Sequence, residues 1–231
     1  MKLSPIIRVI IPALNEQNAV GKVIADLPHS IISEVIVVDN GSIDNTPKVA
    51  ANSGATVLKE VQQGYGSACL CGIKYINALQ EHTDIVVFID ADYSDYPEQL
   101  PKIVEPILSG GYELVIGSRN LGKKEKGSMT IPQVFGNWLA TKLLKLFYNV
   151  NFTDLGPFRA ITMKSLNTIA MTDKNYGWTV EMQVKAAKHG LKSIEVPVDY
   201  KNRIGISKIS GTIKGTFLAG YKIIWTILKY A

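Results

Sequence analysis

The chain contains 231 residues, of which 46% are hydrophobic, and this composition provides a well-buried core and excludes a mainly disordered protein. The formal net charge of +5 favours anionic partners such as nucleotides, phosphorylated lipids or an acidic membrane surface. Nucleic acid is not an expected partner, because the chain has no run of basic residues interleaved with aromatic ones.

The N-terminal segment and the cysteines indicate a protein of the cytoplasm. Arg8 and Pro12 interrupt the apolar stretch that a secretion signal needs, and no segment reaches the roughly 18 apolar residues of a membrane-crossing helix. Cys69 and Cys71 lie two positions apart in a predicted helix, where their side chains diverge and do not form a disulfide. Contact with the inner face of the cell membrane is left open.

Apolar runs of strand length alternate with segments of helical periodicity through much of the chain. Strands are predicted at Ile6 to Ile11, Glu34 to Asp39, Ala55 to Leu58, Ile85 to Ile89 and Glu113 to Ser118. Helices are predicted at Val20 to Leu27, Thr46 to Ser53, Ser67 to Leu79, Leu100 to Leu108 and Gln133 to Asn149. This alternation predicts an α/β fold with a mostly parallel sheet flanked by helices.

Polar residues follow four of the predicted strands, at the edge of the sheet where α/β proteins bind their ligands. Asp39 either binds a base or ribose or forms the turn before the next helix. The glycines Gly64 and Gly66 either admit a nucleotide or form a helix-entry turn. The four polar groups are Pro12 to Glu16, Asp39 to Asp44, Asp90 to Asp92 and Gly117 to Arg119.

Three carboxylates, Asp90, Asp92 and Asp95, follow one apolar strand within six positions. Self-repulsion makes such a cluster costly unless a cation or hydrogen-bond donors lie among the carboxylates, so the segment is either a metal site or an acidic turn. Hard oxygen ligands at the end of a rigid strand suit Mg²⁺ or Mn²⁺ and leave positions open for phosphate oxygens.

In chain order, the motifs IPALNE, VVDNGSIDNT, DADYSD and GSRN resemble those of glycosyltransferase family 2, whose catalytic domain has the Rossmann-like GT-A fold. The downstream motifs DLGPFRA, GWTVEMQ and RIGISKISG resemble the branch that contains the dolichyl-phosphate mannose and glucose synthases. The resemblance covers nearly the whole chain. It implies one GT-A domain over residues 1–231, with a nucleotide-sugar-binding half (1–120) and an acceptor half (121–231) that ends in an amphipathic helix.

The resemblance also implies a reaction: a metal-dependent, inverting transfer of a hexose from a UDP- or GDP-linked sugar to a polyprenyl phosphate. Two alternative functions are transfer to a hydroxyl of a saccharide or small molecule, and non-catalytic binding of a nucleotide sugar. The residues that the resemblance assigns to the donor are Pro12, Leu14, Glu16, Asp39, Asp90, Ala91, Asp92 and Arg119.

The metal ligand implied by the family's DXD motif is Asp92, and Asp90 either binds the metal as well or orients the donor or a metal-bound water. Some relatives carry a glutamine two residues after the second aspartate, and this chain has Ser94 there, so that either Ser94 or Asp95 replaces it. An alternative role for Asp95 is to cap the turn before Pro97.

Basic residues implied to stabilise the leaving diphosphate are Arg119, Arg203 and Lys208. Glu181 is either a catalytic base or structural, with Asp154 as a second candidate base. A polyprenyl phosphate is largely dianionic at neutral pH and attacks without a base. Arg159 either binds the acceptor or pairs with Asp154.

Two helices carry apolar stripes that either contact a membrane, pack into the core or form a homodimer seam. In the last helix the predicted stripe is Phe217, Tyr221, Ile224 and Leu228, with lysines at 214, 222 and 229 on another arc. The earlier stretch consists of Val134, Phe135, Trp138, Leu139, Leu143, Leu146 and Phe147.

Overall fold

The computed structural model describes residues 4–205 and 213–231. Its strands are β1 (Ile7–Ala13), β2 (Glu34–Asp39), β3 (Thr56–Lys59), β4 (Ile85–Phe88), β5 (Leu114–Ser118), β6 (Arg159–Thr162) and β7 (Ser193–Pro197). Its α-helices are α1 (Val20–Ala25), α2 (Thr46–Asn52), α3 (Tyr65–Ala78), α4 (Leu100–Gly110), α5 (Ile131–Tyr148), α6 (Met163–Ile169), α7 (Trp178–Lys188) and α8 (Ile213–Tyr230).

The described strands form one seven-stranded sheet in the order β3-β2-β1-β4-β6-β5-β7. Neighbouring strands are parallel except in the two pairs that include β6. β1, β2, β4 and β5 therefore run in the same direction, and their carboxyl ends lie along one edge of the sheet. The predicted α/β fold with a mostly parallel sheet is confirmed.

Both faces of the sheet are buried, which explains why its strands are apolar at consecutive positions. In β1, Val9 and Ile11 pack into a cluster with residues of α1 and α4, while Ile10 packs into a second cluster with residues of α3 and α7. Gly72 of α3 lies directly over Ile10, and a Cβ at this position would approach the Ile10 side chain to 2.9 Å. This glycine lets α3 pack close to the sheet.

The predicted boundaries agree with the observed ones to within a few residues. β2 begins and ends where it was predicted, whereas β1 extends two residues further, because Ala13 pairs with Asp39 at the end of β2. α3 begins at Tyr65 rather than at Ser67, since Gly64 enters the helix with a φ of +140°. α5 begins at Ile131, after a capping box formed by Thr130 and Gln133.

A smaller cluster joins α5, α7 and α8 on one side of the molecule. It contains Ala140 and Leu144 of α5, Val180 and Val184 of α7, and Ile227 of α8. Both cysteines are free thiols, as expected from their spacing. Among the described residues, the structure contains no helix that is long and apolar enough to cross a bilayer.

Candidate active site

A cavity of about 320 Å³ lies at the carboxyl ends of β1, β2 and β4. Its wall is completed by the start of α3, the loop between α6 and α7, and the segment after β7. This is the position at which α/β sheets bind ligands. The lining residues are Pro12, Ala13, Leu14, Glu16, Asn40, Gln63, Gly64, Tyr65, Ala68, Asp90, Ala91, Asp92, Asn175, Tyr176 and Arg203.

The cavity brings together many of the predicted site residues, although they come from three distant parts of the sequence. Asp39, Ser94, Arg119 and Glu181 are not part of this lining. Lys208 falls outside the described residues, so its predicted role stays a prediction. The predicted residues that line the cavity are Pro12, Leu14, Glu16, Asp90, Ala91, Asp92 and Arg203.

Asp90 is held in the cavity wall by Tyr65, the first residue of α3. The Tyr65 hydroxyl donates a hydrogen bond of 3.0 Å to Asp90 Oδ1. Burial, together with the nearby carboxylate of Asp92, raises the pKa of Asp90 to about 7, and the hydrogen bond from Tyr65 opposes this shift. Without a bound cation, Asp90 therefore keeps its proton in mildly acidic solution.

The raised pKa of Asp90 predicts that Mn²⁺ binding to the free enzyme depends on pH. If Asp90 is a metal ligand, a divalent cation displaces its proton below about pH 7, so the affinity is expected to fall about tenfold for each pH unit below that value and to level off above it. Titration calorimetry in buffers of different ionisation enthalpy measures both affinity and proton release. Asp90→Asn should bind Mn²⁺ more weakly, and its affinity should not depend on pH in this way. The same pH dependence in that variant would show that Asp90 does not cause it.

Both carboxylate oxygens of Asp92 are engaged. Oδ1 accepts hydrogen bonds from the backbone N–H and the hydroxyl of Ser94, at 2.9 and 2.6 Å. Oδ2 lies 3.1 Å from Nη1 of Arg203, whose Nη2 lies 2.7 Å from Oε1 of Glu16. Arg203 therefore connects the residues after β1 with those after β4. In this structure Ser94 orients Asp92, and its predicted role as a metal ligand stays a prediction.

The segment that carries Arg203 is attached to the loop after β4. The Ile204 N–H donates a hydrogen bond of 3.0 Å to the carbonyl of Asp92. The ammonium group of Lys201 lies 3.3 Å from the centre of the Tyr93 ring. These contacts hold the guanidinium of Arg203 beside the two aspartates of the DXD motif.

The end of β2 contributes Asn40 to the cavity lining, a residue for which no individual role was predicted. Asn40 Oδ1 accepts a hydrogen bond of 2.7 Å from the Gly64 N–H, and Nδ2 donates one of 2.8 Å to the Gln62 carbonyl. Asp39 Oδ1 accepts a hydrogen bond of 3.2 Å from the Ser42 N–H. Asp39 therefore forms the turn that was one of its two predicted roles, and its contact with a base or ribose stays a prediction.

Two glycines allow the loop between α6 and α7 to reach the cavity. A Cβ at Gly64 would lie 2.1 Å from the carbonyl oxygen of Lys174, and one at Gly66 would lie 2.0 Å from that of Asp173. The Gln63-Gly64-Tyr65-Gly66 segment is therefore a helix entry that also packs against this loop. The loop contributes Tyr176 to the cavity lining, a residue for which the local sequence gave no signal.

Arg119 forms a bidentate ion pair with Asp154. Its Nε and Nη2 lie 2.7 and 2.6 Å from the two carboxylate oxygens of Asp154, and the ring of Tyr200 lies 5.0 Å away. Although burial by itself lowers the pKa of Arg119, the Asp154 carboxylate raises it above its usual range. The pair connects the end of β5 with the segment before β6, and contact of Arg119 with a diphosphate stays a prediction.

Arg159 lies within the sheet and is fully buried. Its guanidinium donates hydrogen bonds to the carbonyls of Leu155, Gly156 and Thr179, at 3.0, 2.9 and 2.9 Å. Burial lowers the pKa of Arg159 to about 10. The ion pair with Asp154 that was one of its two interpretations is formed by Arg119 instead, because β6 directs Arg159 toward the start of α7.

Glu181 belongs to a hydrogen-bonding network away from the cavity. Its carboxylate accepts hydrogen bonds from the Thr172 hydroxyl at 2.6 Å, from the Asp173 N–H at 2.7 Å and from the Tyr230 hydroxyl at 2.9 Å. Lys185 Nζ lies 2.9 Å from the same carboxylate. Burial opposes ionisation, but these donors together lower the pKa of Glu181. The geometry favours the structural role of Glu181.

Asp95 is buried behind the DXD motif, and among the described residues neither of its carboxylate oxygens has a hydrogen-bond partner. Burial, reinforced by the charge of Asp90, raises the pKa of Asp95 well above its usual range. Asp95 pairs through its backbone with Tyr200 in an isolated β-bridge. Because neither carboxylate oxygen accepts a hydrogen bond from a described residue, Asp95 does not cap the turn before Pro97.

The donor set at the cavity fits a hard divalent cation. Asp90 and Asp92 supply carboxylate oxygens from one strand end, and the guanidinium 3.1 Å from Asp92 Oδ2 shows that positive charge is attracted there. Among the described residues, no three histidine, cysteine, aspartate or glutamate side chains converge on one point. Magnesium in particular is usually bound by one or two carboxylates together with substrate phosphates and water.

Comparison with known proteins identifies the family. The profile of glycosyl transferase family 2 matches residues 8–169. An uncharacterized glycosyltransferase of Mycobacterium tuberculosis is 34% identical over 216 residues, which cover 92% of this chain and 94% of that protein. An undecaprenyl-phosphate mannosyltransferase of Micrococcus luteus is 30% identical over 218 residues, which cover 89% and 88% of the two chains.

A similar fold is found in the crystal structure of glucosyl-3-phosphoglycerate synthase from Mycobacterium tuberculosis, in complex with Mn²⁺, UDP-glucose and phosphoglyceric acid. The TM-score is 0.77 at 25% identity, and the match covers 98% of this chain and 79% of that one. Fold, motifs and sequence similarity agree on one conclusion. The chain belongs to glycosyl transferase family 2 and is a glycosyltransferase with the GT-A fold.

Proposed function

We propose that this glycosyltransferase transfers a hexose from a UDP- or GDP-linked sugar to a polyprenyl phosphate, with inversion at the sugar carbon and with Mg²⁺ or Mn²⁺ held by Asp90 and Asp92. The observation that carries the proposal is the grouping of carboxylates and a guanidinium in one cavity. Asp90 and Asp92 line it after β4, and Arg203 lies 3.1 Å from Asp92 and 2.7 Å from Glu16. The carboxylates suit a divalent cation, and the guanidinium suits a diphosphate. The undecaprenyl-phosphate mannosyltransferase relative supports the acceptor class.

The proposed reaction assigns each part of the cavity a task. Pro12 and Leu14 form an apolar wall for the nucleotide, and the bound metal would neutralise charge on the departing diphosphate. Arg203 turns its guanidinium from the carboxylates to the diphosphate as that charge develops. Tyr65 keeps Asp90 in place, and the loop with Tyr176 shields the reacting carbon from water.

The acceptor needs no carboxylate base if it is a phosphate, because a phosphate monoester is largely dianionic at neutral pH. Both candidate bases are engaged elsewhere, since Asp154 binds Arg119 and Glu181 binds the loop before α7. A hydroxyl acceptor would require one of these residues to be released. The arrangement therefore favours attack by a phosphate oxygen.

Glu181→Gln tests this assignment. We expect a turnover number within about threefold of the wild type and a loss of stability of about 1–3 kcal/mol, because a buried carboxylate that accepts several hydrogen bonds is replaced. Thermal unfolding and kinetics at a temperature well below the transition separate the two effects. Near-complete loss of turnover in a folded variant would instead assign Glu181 as the base and favour a hydroxyl acceptor.

Phosphoglyceric acid represents a second class of acceptor, since the structurally similar synthase was crystallised with it. The purified enzyme with Mn²⁺ is incubated with UDP-glucose or GDP-mannose and either a short-chain polyprenyl phosphate or 3-phosphoglycerate. We expect metal-dependent release of nucleoside diphosphate with the polyprenyl phosphate. Turnover with 3-phosphoglycerate but not with the polyprenyl phosphate would show that the proposed acceptor is wrong. No turnover with any pair of donor and acceptor would refute the proposal.

A further inference from the structure

Helix α8 exposes an apolar stripe to solvent. Leu218, Tyr221, Trp225 and Leu228 follow each other at intervals of three or four residues, and each is between 46% and 67% exposed. Ile227, by contrast, is fully buried against α5 and α7. The helix is therefore apolar on its outer side as well as on its core side, which is costly for a helix that faces only water.

Helix α5 carries a matching stripe over its first two turns. Ile131, Val134, Phe135 and Trp138 are at least half exposed, and the rings of Phe135 and Trp138 lie 5.8 Å apart. The predicted stretch divides between the core and the surface. Leu143 packs into the cluster with α7 and α8, whereas Phe135 and Trp138 are exposed, and contact of this stretch with a membrane stays a prediction.

The two stripes are carried by neighbouring helices. The Tyr148 hydroxyl at the end of α5 donates a hydrogen bond of 2.6 Å to the Ile227 carbonyl of α8. We call the eight exposed residues of the two stripes the α5–α8 face. Of the predicted stripe of α8, Tyr221 and Leu228 are exposed and Ile224 is half-buried, whereas Phe217 lies outside the described side chains.

The charges of these helices have one sign. The chain contains 20 aspartate and glutamate residues, yet none lies in α5 or α8, which instead carry five lysines. Lys142 and Lys145 extend the exposed stripe of α5, and Lys229 flanks that of α8. Lys222 also lies beside the α8 stripe, but its ammonium group is 3.0 Å from Asp173 Oδ2. An isologous dimer through this face would bring the lysines of both copies together. An anionic surface avoids that repulsion.

We propose that the α5–α8 face docks onto an anionic lipid bilayer. The tryptophan and tyrosine side chains lie at the level of the headgroups, the aliphatic side chains enter the acyl region, and Lys142, Lys145 and Lys229 bind lipid phosphates. The inference goes beyond the proposed reaction, since it concerns a surface separate from the cavity. Lipid binding is measured without donor or acceptor, so its failure and that of the proposed reaction are distinguishable.

Tryptophan fluorescence with vesicles tests the proposal. Of the three tryptophans, Trp138 and Trp225 lie on the α5–α8 face and Trp178 is buried. We expect a blue shift with phosphatidylglycerol-containing vesicles, quenching by lipids with brominated acyl chains, and weaker binding at high salt or with phosphatidylcholine alone. Absence of both spectral changes with phosphatidylglycerol vesicles would overturn the proposal.

Sedimentation with the same vesicles compares matched variants. Trp138→Ser combined with Trp225→Ser should bind at least about tenfold more weakly than the wild type, since two interfacial aromatic groups are lost. Ile31→Ser combined with Leu108→Ser removes two exposed apolar residues elsewhere and should bind like the wild type. Two outcomes would overturn the proposal. One is equal weakening of vesicle binding in both double variants. The other is a wild type that forms a dimer and does not bind vesicles, together with a tryptophan variant that is monomeric.

Discussion

Asp92→Asn is expected to lower metal-dependent sugar transfer by about 10³-fold or more, because it removes the charged oxygen that attracts a cation to the cavity. The fold should survive. An asparagine oxygen still accepts the two hydrogen bonds from Ser94, and the lost ion pair with Arg203 is partly exposed and contributes at most about 1 kcal/mol. We expect Mn²⁺ with UDP to raise the melting temperature of the wild type, and the variant should lose this increase.

Asp95→Asn is the matched control, since it removes a carboxylate three positions further along the same loop. Asp95 is buried without a hydrogen-bond partner among the described residues, so its replacement by a neutral amide should leave the metal response intact and should break no hydrogen bond of the carboxyl group. Loss of the Mn²⁺ response in this variant would make Asp95 the replacement for the glutamine of the relatives. Full activity of Asp92→Asn would exclude Asp92 as a metal ligand.

Arg203→Ala is expected to change metal binding and turnover in opposite directions. In the free enzyme the guanidinium competes with a cation for Asp92 and also binds Glu16, so its removal should let Mn²⁺ alone bind several-fold more tightly. Turnover should nevertheless fall about 10²–10³-fold, because the leaving diphosphate loses a donor. Mn²⁺ titration monitored by electron paramagnetic resonance gives the first quantity, and steady-state kinetics give the second.

Two further variants sharpen this test. Arg203→Lys keeps the positive charge but loses the planar guanidinium group that contacts both Glu16 and Asp92. Its turnover is expected to lie between those of the wild type and Arg203→Ala. Lys123→Met removes one positive charge at an exposed position and should leave both quantities unchanged. Weaker Mn²⁺ binding in Arg203→Ala would mean that the guanidinium organises the metal site rather than competing for it.

Several features of this protein follow from local sequence alone. Apolar runs alternating with helical periodicity indicate the parallel sheet, since a strand buried on both faces needs apolar residues at consecutive positions. The carboxylates after β4 and the polar residues after β1 then meet at one edge, because parallel strands place their carboxyl ends together. The motif order was also sufficient to identify the family.

Tertiary structure decided which residues share the cavity and which do not. Arg119 follows β5 and has the residue type expected to bind a diphosphate, yet it binds Asp154, 35 positions away. Glu181 has the residue type of a base, yet it connects the loop before α7 with Tyr230. In both cases a buried carboxylate needs donors, and the partner is fixed by packing between distant segments.

The sequence therefore determined the sheet, the edge of the sheet at which the cavity lies, and the position of Asp90 and Asp92 at that edge, all of which depend on periodicity or short spacing. Only the tertiary structure placed Tyr65 on Asp90, Arg203 between Glu16 and Asp92, and the loop carrying Tyr176 against the glycines at the start of α3. Such contacts join residues that are far apart in the chain, and their partners are selected by shape and by the cost of burying unpaired polar groups, which no local pattern records.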